Sequence, residues 1–339
     1  MSRQQAGWVK KRAKQVLAPL ARLATRDCAR VLMYHRFGPG DTNRRLSSEG
    51  LDRQLRFLRR HFNVARLSDL VARLKSGAAP EPYTVALTVD DAYADFGEYA
   101  YPVFREHGVP VTVYVVSEFS NGSFWLWWDA IRYIVNQAPS GRHRLAAVTE
   151  SVEISLHDAA SREEAWLVLA SIGVMLQPAE RDQYLIGLEQ ALSVALPAAP
   201  TPEFAALTWD QVRGLDPDIV EIGAHTRTHP ILSRCDPARI VDEVSGSKMA
   251  IEAQIGRRVS AFCYPNGQWS DVDERCIAAV RDAGFDSAVL ACGAMVRKGA
   301  DLYALERMSA SHEPSEFEGD VSGISYLRRS ATEGNGPVS

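Results

Sequence analysis

Six short, largely apolar runs, separated by stretches with helical periodicity, restrict what this chain can fold into. The runs are residues 30–35 (RVLMYH), 84–89 (TVALTV), 110–116 (PVTVYVV), 219–225 (IVEIGAH), 259–265 (VSAFCYP) and 287–291 (SAVLA). Between them, residues 48–61 place Leu51, Leu55 and Leu58 on one helical face, and residues 66–76 do the same with Leu67, Leu70, Val71 and Leu74. A further helix runs through Tyr99 and Phe104 and closes at His107-Gly108. Others are predicted over 207–215 with Thr208 as N-cap, over 242–256, and over 273–284 with Gly284 near the C-cap. Strand, helix, strand at short spacing is the signature of parallel strands joined by crossover helices.

Residues 117–205 interrupt this rhythm. They begin SEFSNGSFWLWWDAIRYIV, continue rich in Ala, Leu and Glu, and end LPAAPTPEF. The segment is too long for an ordinary loop. It predicts a mostly helical insertion that divides the α/β part into residues 30–116 and 206–329. Residues 330–339 (SATEGNGPVS) read as a disordered tail.

The remaining composition narrows the function classes. With 46% hydrophobic and 24% charged residues among 339, the chain can build a sizeable core. A net charge of −4 gives no nucleic-acid footprint. The five cysteines include no CxxC pair, which argues against a disulfide framework and a thiolate zinc site. No apolar run is long enough to cross a membrane. The basic start lacks the apolar core of a secretory signal, so a cytoplasmic location is expected. Residues 1–29 are predicted to form a basic amphipathic helix. Residues 1–30 carry eight Lys or Arg against the single acid Asp27, and Val16, Leu17, Leu20 and Leu23 recur at helical spacing. Two readings stand: peripheral contact with the inner face of a membrane through residues 8–26, or packing of the apolar stripe on the domain. Pro19 lies inside the stripe and predicts a kink or break.

Two motifs carry the chemistry. Asp90-Asp91 ends the run TVALTV, and functional groups gather at the carboxyl ends of parallel strands. Neighbouring carboxylates that share a pocket need a cation or a proton between them, although Asp91 could simply cap the next helix. His225 and His229, in HTRTHP, follow the run IVEIGA at a spacing that lets both imidazoles meet one metal. A carboxylate and two imidazoles leave positions open for water or substrate, which describes a catalytic metal site. The second carboxylate would serve as general base.

On these motifs the chain resembles the polysaccharide deacetylases of carbohydrate esterase family 4, the NodB-homology fold. TVDDAYADF resembles the first family motif, HTRTHP the second and FCYPNG the third. The resemblance implies a distorted (β/α) barrel of about seven strands. It implies Asp90 as base, Asp91, His225 and His229 as ligands of a divalent metal, expected to be Zn²⁺, and a backbone N–H of the Tyr264-Pro265-Asn266-Gly267 loop as oxyanion donor. Cys263 occupies the place where the family carries an Arg that pairs with the base; Arg307 is the candidate replacement. The C-terminal Leu-x-His motif that supplies the family's general acid is missing. His35, in LMYHRF, resembles the acid of a circularly permuted form of the barrel. In that role it is expected across the pocket from Asp90, with the metal between them. Trp128, with Trp125, Trp127 and Asp129, could stack on a sugar or anchor the insertion.

The implied activity is hydrolytic removal of N-acetyl groups from the amino sugars of a polysaccharide, oligosaccharide or lipid-linked glycan precursor, as in exopolysaccharide biosynthesis. Two alternatives stay open. One is an amidase or O-acetyl esterase with another substrate. The other is a carbohydrate-binding protein with a decayed site, suggested by the missing Arg and His.

Overall fold

The computed structural model describes residues 16–42, 44–146 and 151–332. Seven parallel strands build its main sheet: β1 (Arg30–Tyr34), β2 (Thr84–Val89), β3 (Val111–Val115), β4 (Val220–Ala224), β5 (Ala261–Cys263), β6 (Ser287–Val289) and β7 (Met308–Ser309). Their spatial order is β6-β5-β4-β3-β2-β1-β7, and the short strand Asn63–Val64 pairs beside the start of β2. The order places the last strand against the first, with Leu32 opposite Met308. The ends of the sheet meet as well. Val289 bridges to Leu305, and the N–H groups of Ala288 and Leu290 donate to the carbonyls of Leu302 and Leu305, both at 2.8 Å. The α/β pattern of the sequence therefore resolves into the distorted barrel, because a curled parallel sheet removes its own edges.

The strands read as continuous apolar runs because both of their faces are covered. One large apolar cluster includes Leu32, Leu87, Val113 and Phe262; a second, on the other face, includes Val31, Ala86, Tyr114 and Cys263. The helix Ser48–His61 buries Leu51, Leu55 and Leu58, as its periodicity predicts, and Ser47 caps it. The helix predicted through Tyr99 and Phe104 is divided. A π-turn over Phe96–Ala100 precedes the α-helix Tyr101–His107, which Gly108 closes in the left-handed region at φ 60°.

Residues 117–205 leave the barrel after β3 and carry a core of their own around Ile131, Ile134, Leu145, Leu169 and Leu188. The helices Trp127–Gln137, Ala159–Met175 and Pro178–Leu192 dominate this segment. It also contains an antiparallel pair, Arg142–Ala146 with Ser151–Ser155, that the sequence reading missed. The chain returns to the barrel by bridging Ala206 to Tyr93, while Ala94 N–H donates to Ala205 O and Leu207 N–H to Ala92 O. The returning segment thus clamps the loop that follows Asp90 and Asp91.

Both termini depart from expectation. Residues 1–15 and 333–339 lie outside the described residues, so most of the basic cluster and most of the predicted tail do too. The helix Ile324–Thr332 nevertheless runs into the segment expected to be disordered. Residues 16–24 are helical through Pro19, without the predicted break. Their apolar stripe does not pack on the domain. Ala18 and Ala21 pack with Ile324, and Leu20 and Leu23 are left 64% and 53% exposed.

Candidate active site

Strand register decides which side chains meet. Tyr34 pairs with Val89, so the residues that follow, His35 and Asp90, emerge side by side at the carboxyl ends of β1 and β2. Val115 pairs with Ala224 and Ala224 with Phe262, which brings His225 and Cys263 to the same end. All of these ends open into a cavity of about 1250 Å³ lined by barrel and insertion together. Five non-glycine residues of the loops there, Asp91, Ala92, Thr226, His229 and Asn266, have φ between 55° and 68°. Backbone in that sparsely populated region persists where surrounding contacts enforce it, and it clusters at functional sites.

Asp90 is buried and bound by Arg307 through two parallel hydrogen bonds, Nη1 to Oδ1 at 2.6 Å and Nη2 to Oδ2 at 2.7 Å. The guanidinium is itself fully enclosed. Its Nε donates to Leu290 O at 3.0 Å, Nη1 also to Thr88 Oγ1 at 2.9 Å, and Nη2 also to Cys263 Sγ at 3.1 Å. Burial alone would raise the Asp90 carboxyl. The Arg307 charge and its hydrogen bonds outweigh that and hold it well below the usual carboxylate range. The small Cys263 side chain leaves the space into which Arg307 reaches from the neighbourhood of β7. Arg307 thus contacts the candidate base, as a replacement for the guanidinium that Cys263 does not supply.

Asp91, His225 and His229 form a separate buried trio. The two Nε2 atoms are 3.1 Å apart, and each lies 3.6 Å from Asp91 Oδ1. These separations suit ligands about 2.0–2.1 Å from one tetrahedral centre. Asp91 Oδ1 is buried with no hydrogen-bond partner, a costly state unless a cation faces it. His225 Nδ1 lies 2.7 Å from Cys263 O, which fixes its proton there and turns the Nε2 lone pair toward the trio. Burial pushes both imidazoles down, His225 to about 4, so both stay neutral and able to ligate. Burial, and then the charges of Asp90 and Asp129, push Asp91 well up, which again calls for a cation. The donor set therefore fits a divalent metal with N₂O ligation. A second trio, Asp90, His225 and Cys263, fits worse. Both Asp90 oxygens are already taken by Arg307, and burial holds the thiol protonated.

The loop that carries His225 and His229 is braced from behind. Buried Glu243 accepts from the N–H groups of Arg227 and Thr228, both at 2.8 Å, and from Thr228 Oγ1 at 2.6 Å. Thr226 Oγ1 accepts from His229 N–H at 2.9 Å. Glu243 lies mid-helix in Pro237–Ile255 and carried no signal in the sequence beyond an acid on an apolar face.

His35 Nε2 is 3.7 Å from Asp90 Oδ2, and the side chain is 46% exposed, toward the cavity it lines. The expectation that it sits across the pocket from Asp90 is corrected: the β1–β2 register makes the two neighbours. The exposed face looks into the cavity and not onto open surface, so desolvation by the surrounding walls lowers the imidazole pKa, while the Asp90 charge pulls the other way.

In the loop after β5, Tyr264 N–H donates to Val289 O at 3.3 Å and Gly267 N–H to Pro265 O at 2.7 Å. Pro265 has no N–H, so Asn266, which lines the cavity, keeps the free donor. The Tyr264 hydroxyl donates to Tyr303 O at 3.0 Å and is not available to a substrate. Trp128 lies edge-on to His229 with ring centroids 4.5 Å apart, and its Nε1 donates to Tyr93 Oη at 3.1 Å. Tyr93 in turn donates to Asp129 Oδ2 at 2.5 Å. Asp129 is lifted to about 6, chiefly by burial. Trp127 packs under Gly173 in the insertion, and Trp125 donates to Pro197 O. Trp125 and Trp127 anchor the insertion, and Trp127 and Trp128 both line the cavity.

A sequence profile of the family described as Polysaccharide deacetylase matches residues 77–157 and 184–288, more than half of the chain. Three solved structures share its fold. They are the deacetylase PplD of Streptococcus pyogenes in complex with acetate (TM-score 0.57, 15% identity, 86% of this chain and 96% of that one), IcaB from Ammonifex degensii (0.55, 14%, 87% and 97%), and a de-N-acetylase from Aggregatibacter actinomycetemcomitans (0.51, 17%, 85% and 96%). Comparison with curated protein sequences gives no match.

Proposed function

Because the chain belongs to the polysaccharide deacetylase family, we propose that it removes N-acetyl groups from the amino sugars of a polysaccharide, oligosaccharide or lipid-linked glycan precursor, in a reaction that needs a divalent cation. The observation that carries this reading is the buried trio Asp91, His225 and His229 in one cavity with Asp90, which the Arg307 guanidinium holds by two hydrogen bonds. The trio would hold the ion, with Zn²⁺ favoured by its nitrogen and oxygen donors. The chemistry such an ion supplies when bound is polarisation of the acetyl carbonyl and a lowered pKa for water. Asp90 accepts the proton of the attacking water, and Arg307 keeps it ionised and aimed. The Asn266 N–H receives the negative charge that develops on the acetyl oxygen, a contribution of about 10²–10³ in rate. His35, beside Asp90, gives a proton to the departing amine.

The test is acetate release. N-acetylglucosamine oligomers are expected to lose acetate, with chelator stopping the reaction and Zn²⁺ restoring it. Faster release from O-acetylated glycans would favour the esterase alternative. Sugar binding without turnover of either would favour a decayed site, although Arg307 already supplies the guanidinium whose absence suggested one. Within the same assay, His35→Gln is expected to keep the metal and lower kcat on an unactivated acetamide by roughly 10²–10⁴-fold. It should matter far less on an activated acetate ester, whose leaving group needs no proton. Equal losses on both substrates would make His35 structural.

We further propose that residues 16–24 lie against an anionic membrane surface on its inner face. Val16, Leu17, Leu20 and Leu23 are exposed, the helix is held by its alanine face, and most charged residues around it are basic. Among the described residues, no helix is long and apolar enough to cross a membrane. Point substitution tests this better than truncation, because Thr25 O accepts from the buried Arg30 guanidinium at 2.8 Å. Replacing Leu17, Leu20 and Leu23 together by Ser should reduce cosedimentation with anionic vesicles at least about tenfold, given about 1.5–3 kcal/mol per fully buried side chain. Acetate release from a soluble oligosaccharide should not change. Undiminished vesicle binding would exclude the leucine face as the contact.

A further inference from the structure

The insertion side of the cavity carries a built cluster that the proposed reaction does not use. Trp166, on the helix Ala159–Met175, has the Arg132 guanidinium 3.8 Å and the Arg44 guanidinium 4.0 Å from its ring centroid. Glu163, one turn earlier on that helix, accepts from both: Arg132 Nη1 reaches Oε2 at 2.8 Å and Arg44 Nε reaches Oε1 at 3.0 Å. All four residues line the cavity. The cluster is tied to the candidate metal site, since Trp166 Nε1 donates to Trp128 O at 2.9 Å and Trp128 packs on His229.

Charge pairing around the cavity is uneven. Arg36 is matched by Asp95 at 2.6 Å and Arg45 by Glu203 at 3.2 Å. Arg44 and Arg132 share one carboxylate, so direct ion pairing leaves one of the two guanidinium groups without a carboxylate of its own. Asp129 adds a negative charge nearby but no contact, since its carboxyl accepts from Tyr93. One guanidinium nitrogen, Arg132 Nη2, is buried with no hydrogen-bond partner. A buried donor left without a partner is costly, more so when it carries charge, so its persistence points to a ligand. The stacking on Trp166 also holds both guanidinium planes in place before anything binds, which lowers the ordering cost of binding.

We propose that Arg132 and Arg44 form a subsite for an oxyanion carried by the glycan, a uronate carboxylate or a sugar phosphate. This inference rests on reading the neighbouring site as that of a deacetylase. It makes the substrate an acidic saccharide, with the charged group one subsite away from the acetamide. A neutral sugar could not satisfy Arg132 Nη2 with comparable strength, because charge-assisted bonds are about twice as strong as neutral ones.

The experiment compares dissociation constants by calorimetry for matched pairs. One pair is an N-acetylglucosamine oligomer against an alternating glucuronate and N-acetylglucosamine oligomer of equal length. The other is N-acetylglucosamine against its 1-phosphate. In at least one pair the charged member should bind about tenfold tighter or better, and the preference should weaken as salt rises. The pair that shows the preference identifies carboxylate or phosphate as the source. Arg132→Gln should bring the ratio close to one, and Arg132→Lys should restore part of it, since Lys keeps the charge without the fork. Arg44 is 42% exposed, so Arg44→Gln gives a variant whose folding is not at stake; it should also shrink the ratio. Equal binding of charged and neutral partners by the unmodified protein would overturn the subsite, as would a preference that survives both Gln variants. Binding needs no turnover, so acetate release from the neutral oligomer in the same preparation judges the deacetylase reading separately.

Discussion

His225→Ala and His229→Ala are each expected to give folded protein with no stoichiometric divalent metal and no measurable acetate release. Three donors meet at this point, and removing one leaves two, too few for a tight catalytic site. Loss of a residue that merely supports a ligand costs about 10–100-fold in metal affinity, so loss of a ligand should cost more. The fold should survive because both imidazoles project from the loop after β4 into the cavity, and Glu243 braces that loop independently of them. A thermal readout accompanies metal analysis. An ion at 1,000 times its dissociation constant stabilises the native state by about 4 kcal/mol. Wild-type protein should therefore gain in Tm on adding Zn²⁺, and neither variant should. The gain should be large in wild type because the ion-free trio leaves Asp91 Oδ1 buried without a partner. Full metal occupancy in either variant would remove the assigned site.

What could be read from the sequence follows from what is local. The strands were legible because a parallel strand covered on both faces shows as an unbroken apolar run, as TVALTV and PVTVYVV do. The Asp90-Asp91 pair and the HTRTHP loop were legible because their residues are neighbours in the chain. Arg307 was reached only indirectly, through the Cys263 that stands where a guanidinium was expected. Its bond to Asp90 joins positions 217 apart, and nothing in LERMSA announces it. The placement of His35 was misjudged for a similar reason: register between β1 and β2, not sequence spacing, sets which side chains are adjacent. The pair Arg142–Ala146 and Ser151–Ser155 does alternate, but it is short, heavily charged and embedded among Ala/Leu/Glu-rich helices. For residues 16–24, periodicity groups Leu17, Leu20 and Leu23, which the structure leaves exposed. It could not reveal that small alanines, not leucines, make the contact with Ile324. The Arg44–Trp166–Arg132 cluster joins a barrel loop to two helices of the insertion, a meeting that only tertiary structure creates.

On the proposed mechanism the Asp90–Arg307 pair couples catalysis to stability, and three variants separate the two. Arg307→Met should destabilise the protein by about 3–5 kcal/mol, because it leaves a carboxylate buried without its partner. The carboxyl would then protonate or draw in water, and turnover should fall with it. Asp90→Asn removes the proton acceptor and should lower kcat by about 10²–10⁴-fold while Asp91, His225 and His229 keep the metal. Asp91→Asn should instead weaken the metal, so exchanged phenotypes would mean that the roles of Asp90 and Asp91 are reversed. Asn at position 90 can still accept from Arg307 through its oxygen, but its amide N–H₂ would face the second guanidinium nitrogen, so some stability is lost here too. In the double variant Asp90→Asn/Arg307→Met neither charge remains, and a neutral amide costs less to bury than a lone carboxylate. It should therefore be more stable than Arg307→Met alone, yet as inactive as Asp90→Asn. Such non-additivity is the mark of a direct pair, and chemical denaturation of the four proteins measures it. Arg307→Lys should fall between, since an ammonium keeps the charge but cannot bind both carboxylate oxygens in parallel. If Arg307→Met were as stable and as active as the wild type, Asp90 would not be an ionised carboxylate in the native protein, and its assignment as the base would fall.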